Sequence, residues 1–152
     1  MRVFRSLGAV SSVLCAVLAL AFLLVLARHV AAHSYQFGDF AVGHVWAPPA
    51  QGSEAYVYGA LLNSGETEER LVAAATPMAE RVEFRFGDEP AAHDFIILPP
   101  GKPVSLASWR YRLHLLGLAR PLIDGDSFAL TLTFEKTGTR SVQVFVESQP
   151  AH

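Results

Sequence analysis

The sequence has little of what redox and soft-metal chemistry uses. Its 152 residues include one cysteine, Cys15, and two methionines, Met1 and Met78. Cys15 lies inside an apolar N-terminal run, so the rest of the chain has no disulfide, no thiol nucleophile and no cysteine zinc site. Leu14 stands before it where a lipoprotein signal has Gly, Ala or Ser, so no lipidation site is read there. Charge is also scarce, with 17% Asp, Glu, Lys and Arg against 51% hydrophobic residues. There is no Gly-x-Ser-x-Gly, no His-Glu-x-x-His and no phosphate loop, and so no catalytic constellation. The acid pair Asp124 and Asp126 flanks Gly125, where turn chemistry accounts for aspartate. The expectation is a protein that is not an enzyme. After residue 32 there is no 3.6-residue apolar periodicity, no internal repeat and no low-complexity tract.

The apolar excess sits at the front. Arg2 and Arg5 precede a nearly unbroken apolar run from Leu7 to Ala27, and small residues follow. This is the order of a secretory signal, with cleavage expected after Ala32. The run is also long enough to span a bilayer at roughly 20 residues, so an uncleaved anchor through residues 7–27 is the competing reading. Both put the remaining domain, residues 33–152, outside the inner membrane, with the two arginines holding the N-terminus inside. The expected location is the periplasm, with or without a membrane tether. Removing residues 1–32 takes away Arg2, Arg5 and Arg28 and no acidic residue, leaving nine basic side chains against 14 acidic, a net charge of −5. Such a domain is a poor partner for nucleic acid, which rewards concentrated positive charge.

The remaining chain reads as all-β. Residues 53–63 mix aromatic and apolar side chains, the polar turn SGETEE follows, and residues 70–77 are expected to return as the partner strand. Residues 79–86 alternate, with Val82, Phe84 and Phe86 on one side and Arg81, Glu83 and Arg85 on the other. Residues 93–106 give a short apolar strand, a Pro-Pro-Gly turn and a further edge. In residues 126–148, Phe128, Leu130, Leu132 and Phe134 face one way, KTGT turns, and Val142, Val144 and Val146 return. Seven or eight short strands in one β-sandwich are expected, with Trp46 and Trp109 closing its ends.

Parity also places the polar side chains of the stretch WRYRLHLLGL, residues 109–118. Tyr111, Leu113 and Leu115 share one face; Arg110, Arg112, His114 and Leu116 share the other. A histidine at that parity can offer a ring nitrogen to a ligand, or stand as a solvated residue on the polar face of the sheet. Arg81, Arg85, Arg110 and Arg112 would form a basic patch if their strands are neighbours. Ordinary ion pairs to Glu80, Glu83 or Asp94 are one reading of that patch, and docking of an acidic partner or lipid headgroup the other. His44, before Trp46 in a strand, is expected to be structural. If cleavage exposes His33, its amine and imidazole together could chelate one metal ion.

The order of features carries a resemblance. The stretches FAVGHVWAPPA, AYVYGALLNSGETEERLVAAATPMAERVEF, ILPPGKPVSL, HLLGL and LIDGDSFALTLTFEKTGTRSVQVFVE together resemble the periplasmic copper chaperone family known as PCu(A)C, over roughly residues 37–147. The resemblance implies a cupredoxin-like, immunoglobulin-like β-sandwich. It implies copper as cargo, mainly Cu(I), and delivery to a copper-accepting protein of cytochrome oxidase assembly. The family's ligands are a histidine ending a VE.H strand, a loop methionine and a His-x-Met pair, a set suited to soft Cu(I). Carried over, the first histidine falls on Arg85, which stays protonated and cannot coordinate. The pair falls on His114-Leu115-Leu116, keeping histidine and losing methionine. The loop methionine has no counterpart, and His93 is the nearest ligand. Met78 precedes the ligand-bearing strand and reads as apolar filler. A site of His114 and His93, with His33 as a further ligand, leans toward Cu(II) or Zn(II). The alternative is a metal-free β-sandwich that serves as an extracytoplasmic interaction module.

Overall fold

The computed structural model describes residues 34–148. The leader, the tether through residues 7–27, Cys15 and His33 lie outside them. The described residues form twelve strands and no helix: β1 (Tyr35–Phe37), β2 (Phe40–Val42), β3 (Trp46–Ala47), β4 (Glu54–Val57), β5 (Gly59–Asn63), β6 (Glu69–Ala75), β7 (Ala79–Phe86), β8 (Ile96–Leu98), β9 (Pro103–Leu106), β10 (Tyr111–Leu118), β11 (Ser127–Phe134) and β12 (Gly138–Val146). They make two sheets. The first runs β1-β2-β5-β9-β10-β4, with β7 also on β10; the second runs β3-β12-β11-β6-β8.

Alternation assigns the core as expected from the sequence. Phe128, Leu130, Leu132 and Phe134 of β11 and Val142, Val144 and Val146 of β12 are buried, and they meet Phe40, Val42, Val57, Leu61, Leu113 and Leu115 of the other sheet in one cluster. Phe40 and Phe134 join the sheets with ring centroids 4.4 Å apart. The β11–β12 hairpin is closed by the three residues before Gly138, whose φ of +79° suits only glycine well.

Three expectations about the strands are corrected. Residues 53–63 are two strands, broken at Tyr58: β4 pairs β10, whereas β5 pairs β2 and β9. Tyr58 instead exchanges backbone hydrogen bonds with Trp46. The backbones crowd there, since a Cβ on Gly59 would lie 3.0 Å from the His44 carbonyl oxygen. Second, β6 does not return beside residues 53–63; it crosses to the other sheet and pairs β11 and β8. Asn63 fixes that crossing, its side-chain amide donating to the carbonyls of Thr67 at 2.7 Å and Leu98 at 3.0 Å. Third, Trp109 closes no end of the sandwich, being 75% exposed. Trp46 does pack, tilted on Tyr58 with centroids 5.1 Å apart.

Candidate functional site

His114 is the centre of a small grid on the outer face of the first sheet. β10 lies between β4 and β7, with His114 opposite Tyr56 on one side and Glu83 on the other. Two residues along, Leu116 lies between Glu54 and Arg81; two residues back, Arg112 lies opposite Arg85. Tyr111, Leu113 and Leu115 face inward, so the parity read from the sequence places His114 correctly. Its exposure differs from that expectation: His114 is 7% exposed. Tyr56 covers it, stacked at a centroid distance of 4.5 Å and 19° between planes, and the Arg112 guanidinium lies 4.8 Å from the Tyr56 centroid on a cation–π contact.

The chemistry of His114 follows from its partner. Its Nε2 lies 2.9 Å from Glu54 Oε2. A carboxylate only accepts, so Nε2 carries the hydrogen, and in the neutral ring Nδ1 keeps its lone pair. Among the described residues, Nδ1 is buried without a hydrogen-bond partner. A carboxylate–imidazole pair with the far nitrogen free is the arrangement in which a histidine ligates a metal. His114, Tyr56, Arg85, Asp88, Glu89 and Arg112 line a pocket of about 320 Å³ beside it.

His93 is held elsewhere. Its backbone N–H donates to the Phe84 carbonyl at 2.9 Å, and its ring packs edge-on against Phe86 and Tyr111, the inward-parity pair of β7 and β10. Its Nε2 bonds Glu89 Oε2 at 2.9 Å. Glu89 is thus the link between the two imidazoles, holding one and lining the pocket of the other. Among the described residues no three His, Cys, Asp or Glu side chains are grouped to hold a metal ion. His44 bonds Glu147 and stacks on Phe145. Met78 packs against the core as an apolar side chain.

The arginine patch is real and uneven. Glu83 accepts from Arg81 Nε at 3.1 Å and from Arg85 Nη2 at 2.7 Å. The hydrogen bond from Arg81 is the first cause holding its carboxyl below the usual range; Arg85 adds to this, against a partial opposing effect of burial. Arg112 donates to the Ser108 carbonyl and has no ion pair among the described residues. Burial raises the Tyr58 phenol above its usual value, and the positive charge of Arg112 opposes the rise. Sequence reasoning missed Glu54 and Tyr56, the cover of His114. The signal was the alternation Glu54, Tyr56, Tyr58, but nothing local says which strand it lies beside.

A family model described as "Putative lipoprotein LpqE-like" matches residues 40–146. The chain belongs to the LpqE-like family. Solved PCuAC domains share its architecture. The copper-bound PCuAC domain from PmoF2 is 28% identical, with a TM-score of 0.69, covering 76% of this chain and 98% of that one. The apo PCuAC domain from PmoF1 is 25% identical at a TM-score of 0.71, covering 76% and 99%. Cu(I)-bound DR1885 from Deinococcus radiodurans, at 21% identity and a TM-score of 0.60 over 82% and 87%, shares the fold. No curated protein matches the chain. This LpqE-like chain is a PCuAC-type β-sandwich, and that fold supports a copper-chaperone type of function.

Proposed function

We propose that this protein binds copper through His114 outside the cytoplasm, in the periplasm, and passes it to a copper-accepting protein of cytochrome oxidase assembly. The observation that carries the reading is His114 itself: a buried imidazole oriented by Glu54, with Nδ1 free of any partner among the described residues, at the position the resemblance assigns to a copper ligand. His93 and His33 are the proposed co-ligands. For His93 to join, it would use its own Nδ1, since Glu89 holds Nε2. Without thioether sulfur at Leu116 the donor set is nitrogen and carboxylate, which shifts preference from Cu(I) toward Cu(II). Exchangeable, incomplete ligation suits a carrier that must release its ion.

The test is a copper titration of the purified protein. Cu(I) is measured against a competing chelator and Cu(II) separately, with His114→Ala, His93→Ala and His33→Ala alongside. One ion bound per chain, with affinity lost in His114→Ala, supports the reading. Binding that His114→Ala leaves intact refutes the assigned site. A metal-free interaction module is the second reading. It is favoured by Arg85 and Arg112, two cations beside His114 where a copper site gains nothing from them. Failure of every copper titration selects it.

A further inference from the structure

Three buried side-chain polar atoms lack a hydrogen-bond partner among the described residues: Arg85 Nε, Arg112 Nε and His114 Nδ1. All three belong to residues lining one pocket of about 320 Å³. Buried polar groups are ordinarily satisfied, and leaving one unmade is costly. Arg85 and Arg112 also stand directly opposite each other on β7 and β10, a like-charge pairing that destabilises a sheet. Glu83 offsets Arg85, whereas among the described residues Arg112 has the Tyr56 ring and the Ser108 carbonyl but no ion pair. The strain in charge and the unmade hydrogen bonds thus coincide in one place.

We propose that this pocket binds an oxyanion, a carboxylate or phosphate group, held by Arg112 and Arg85. Guanidinium presents N–H donors and no acceptor, in a planar fork that fits two oxygens of one anion; Arg85 has both terminal nitrogens engaged by Pro90 and Glu83, so the fork is that of Arg112 and Arg85 adds its Nε–H. An oxyanion has the acceptors to satisfy both Nε–H groups and the charge to separate the two arginines. The other ionisable groups around the pocket are accounted for. Glu89 is engaged by His93, and Glu54 by His114. Asp88, exposed on the rim, is the one lining carboxylate with no ion pair among the described residues, and its charge opposes that of a bound anion. The face of Tyr56 is already covered by Arg112 and His114, so the ligand's charged end is what the pocket reads. The inference goes beyond the copper reading and needs no metal.

The test uses the full chain in non-ionic detergent, stripped of metal and labelled with ¹⁵N-arginine. Inorganic phosphate and succinate are titrated separately at constant ionic strength in chloride. The expected result is a saturable shift of the Arg85 and Arg112 Nε–H signals by at least one of them, distinguishing a phosphate site from a carboxylate site. Arg112→Gln should weaken it at least about tenfold, and Arg112→Lys should also weaken it, because the charge remains and the fork is lost. Arg140→Gln, on the other sheet, should leave it unchanged. Unsaturable shifts, shifts matched by chloride alone, or equal affinity in Arg112→Gln and wild type would each overturn the proposal. Because no copper is present, these outcomes are independent of whether copper binds.

Discussion

At the scale of single residues, the proposed copper site turns on what surrounds His114. Glu54 lies diagonal to it across the β4–β10 pair, opposite Leu116, and orients the ring from a solvent-facing position. Glu54→Gln keeps the shape and removes the carboxylate that makes His114 a stronger donor. Copper affinity should fall by about 10–100-fold, the usual effect of losing such a partner, while the melting temperature changes little because the pair is largely exposed on the glutamate side. Competition titration and thermal unfolding of the two proteins check both halves. Arg85 lies diagonal to His114 across β7–β10, since Glu83 is directly opposite it. Diagonal neighbours on one sheet face are about 7–8 Å apart, within the span of two imidazoles on one ion. Arg85→His should therefore raise copper affinity by roughly tenfold or more, and it removes a cation from beside the metal. An unchanged dissociation constant would mean that the grid does not lie where copper binds. The parity of His114 was legible in the sequence from alternation alone. Its burial was not, because the cover comes from Tyr56, 58 residues earlier and on another strand.

Among the elements, the β11–β12 hairpin was fully legible: its two apolar faces and its turn lie within one continuous stretch. Its anchoring was not. Glu69, on β6, is 4% exposed and accepts hydrogen bonds from the backbone of Lys136 at 3.0 Å, from the backbone of Thr137 at 2.8 Å and from the Thr137 hydroxyl at 2.7 Å, besides its neighbour Arg70. Burial alone would raise its carboxyl, but these four hydrogen bonds outweigh burial and hold it below the usual value. A carboxyl lowered in the folded state contributes stability that is present above its unfolded pKa, and that is lost as pH falls through the lowered folded value. Glu69→Ala should cost about 3 kcal/mol near neutral pH, leaving buried donors unmet. Its deficit relative to wild type should shrink as pH falls below the ordinary glutamate range and through the lowered folded value, where wild type also loses the charged form. Urea unfolding of both proteins across pH 3–7 measures this. A deficit that stays constant with pH would assign the cost to lost packing instead.

For the whole molecule, sequence reasoning found the class and the sandwich but not the path of the chain between its sheets. The expected hairpin from residues 53–63 into 70–77 followed from a polar turn between two apolar segments, and local pattern holds no more than that. The chain crosses instead, and Asn63 is the reason the crossing holds. Its side-chain amide reaches the carbonyls of Thr67 and Leu98, its Oδ1 accepts from Gly65 at 3.0 Å, and its own carbonyl accepts from Gly101 at 2.7 Å. The side chain is 6% exposed as part of a buried residue and serves both sheets at once, β5 in one and β8 in the other. Replacing it by alanine strands the buried Leu98 carbonyl and leaves the part-buried Thr67 carbonyl and Gly65 N–H without their partner, at a cost of about 2–4 kcal/mol. Because the two sheets share a single apolar cluster, that loss should lower the stability of both together and leave the denaturant slope unchanged. The checks are methyl signals of Leu130 and Val144, which report the second sheet, and arginine Nε–H signals from Arg85 and Arg112, which report the first. Coincident midpoints, both shifted in Asn63→Ala, are expected. If the first sheet melted ahead of the second, Asn63 would be a local brace and the sandwich two separable layers.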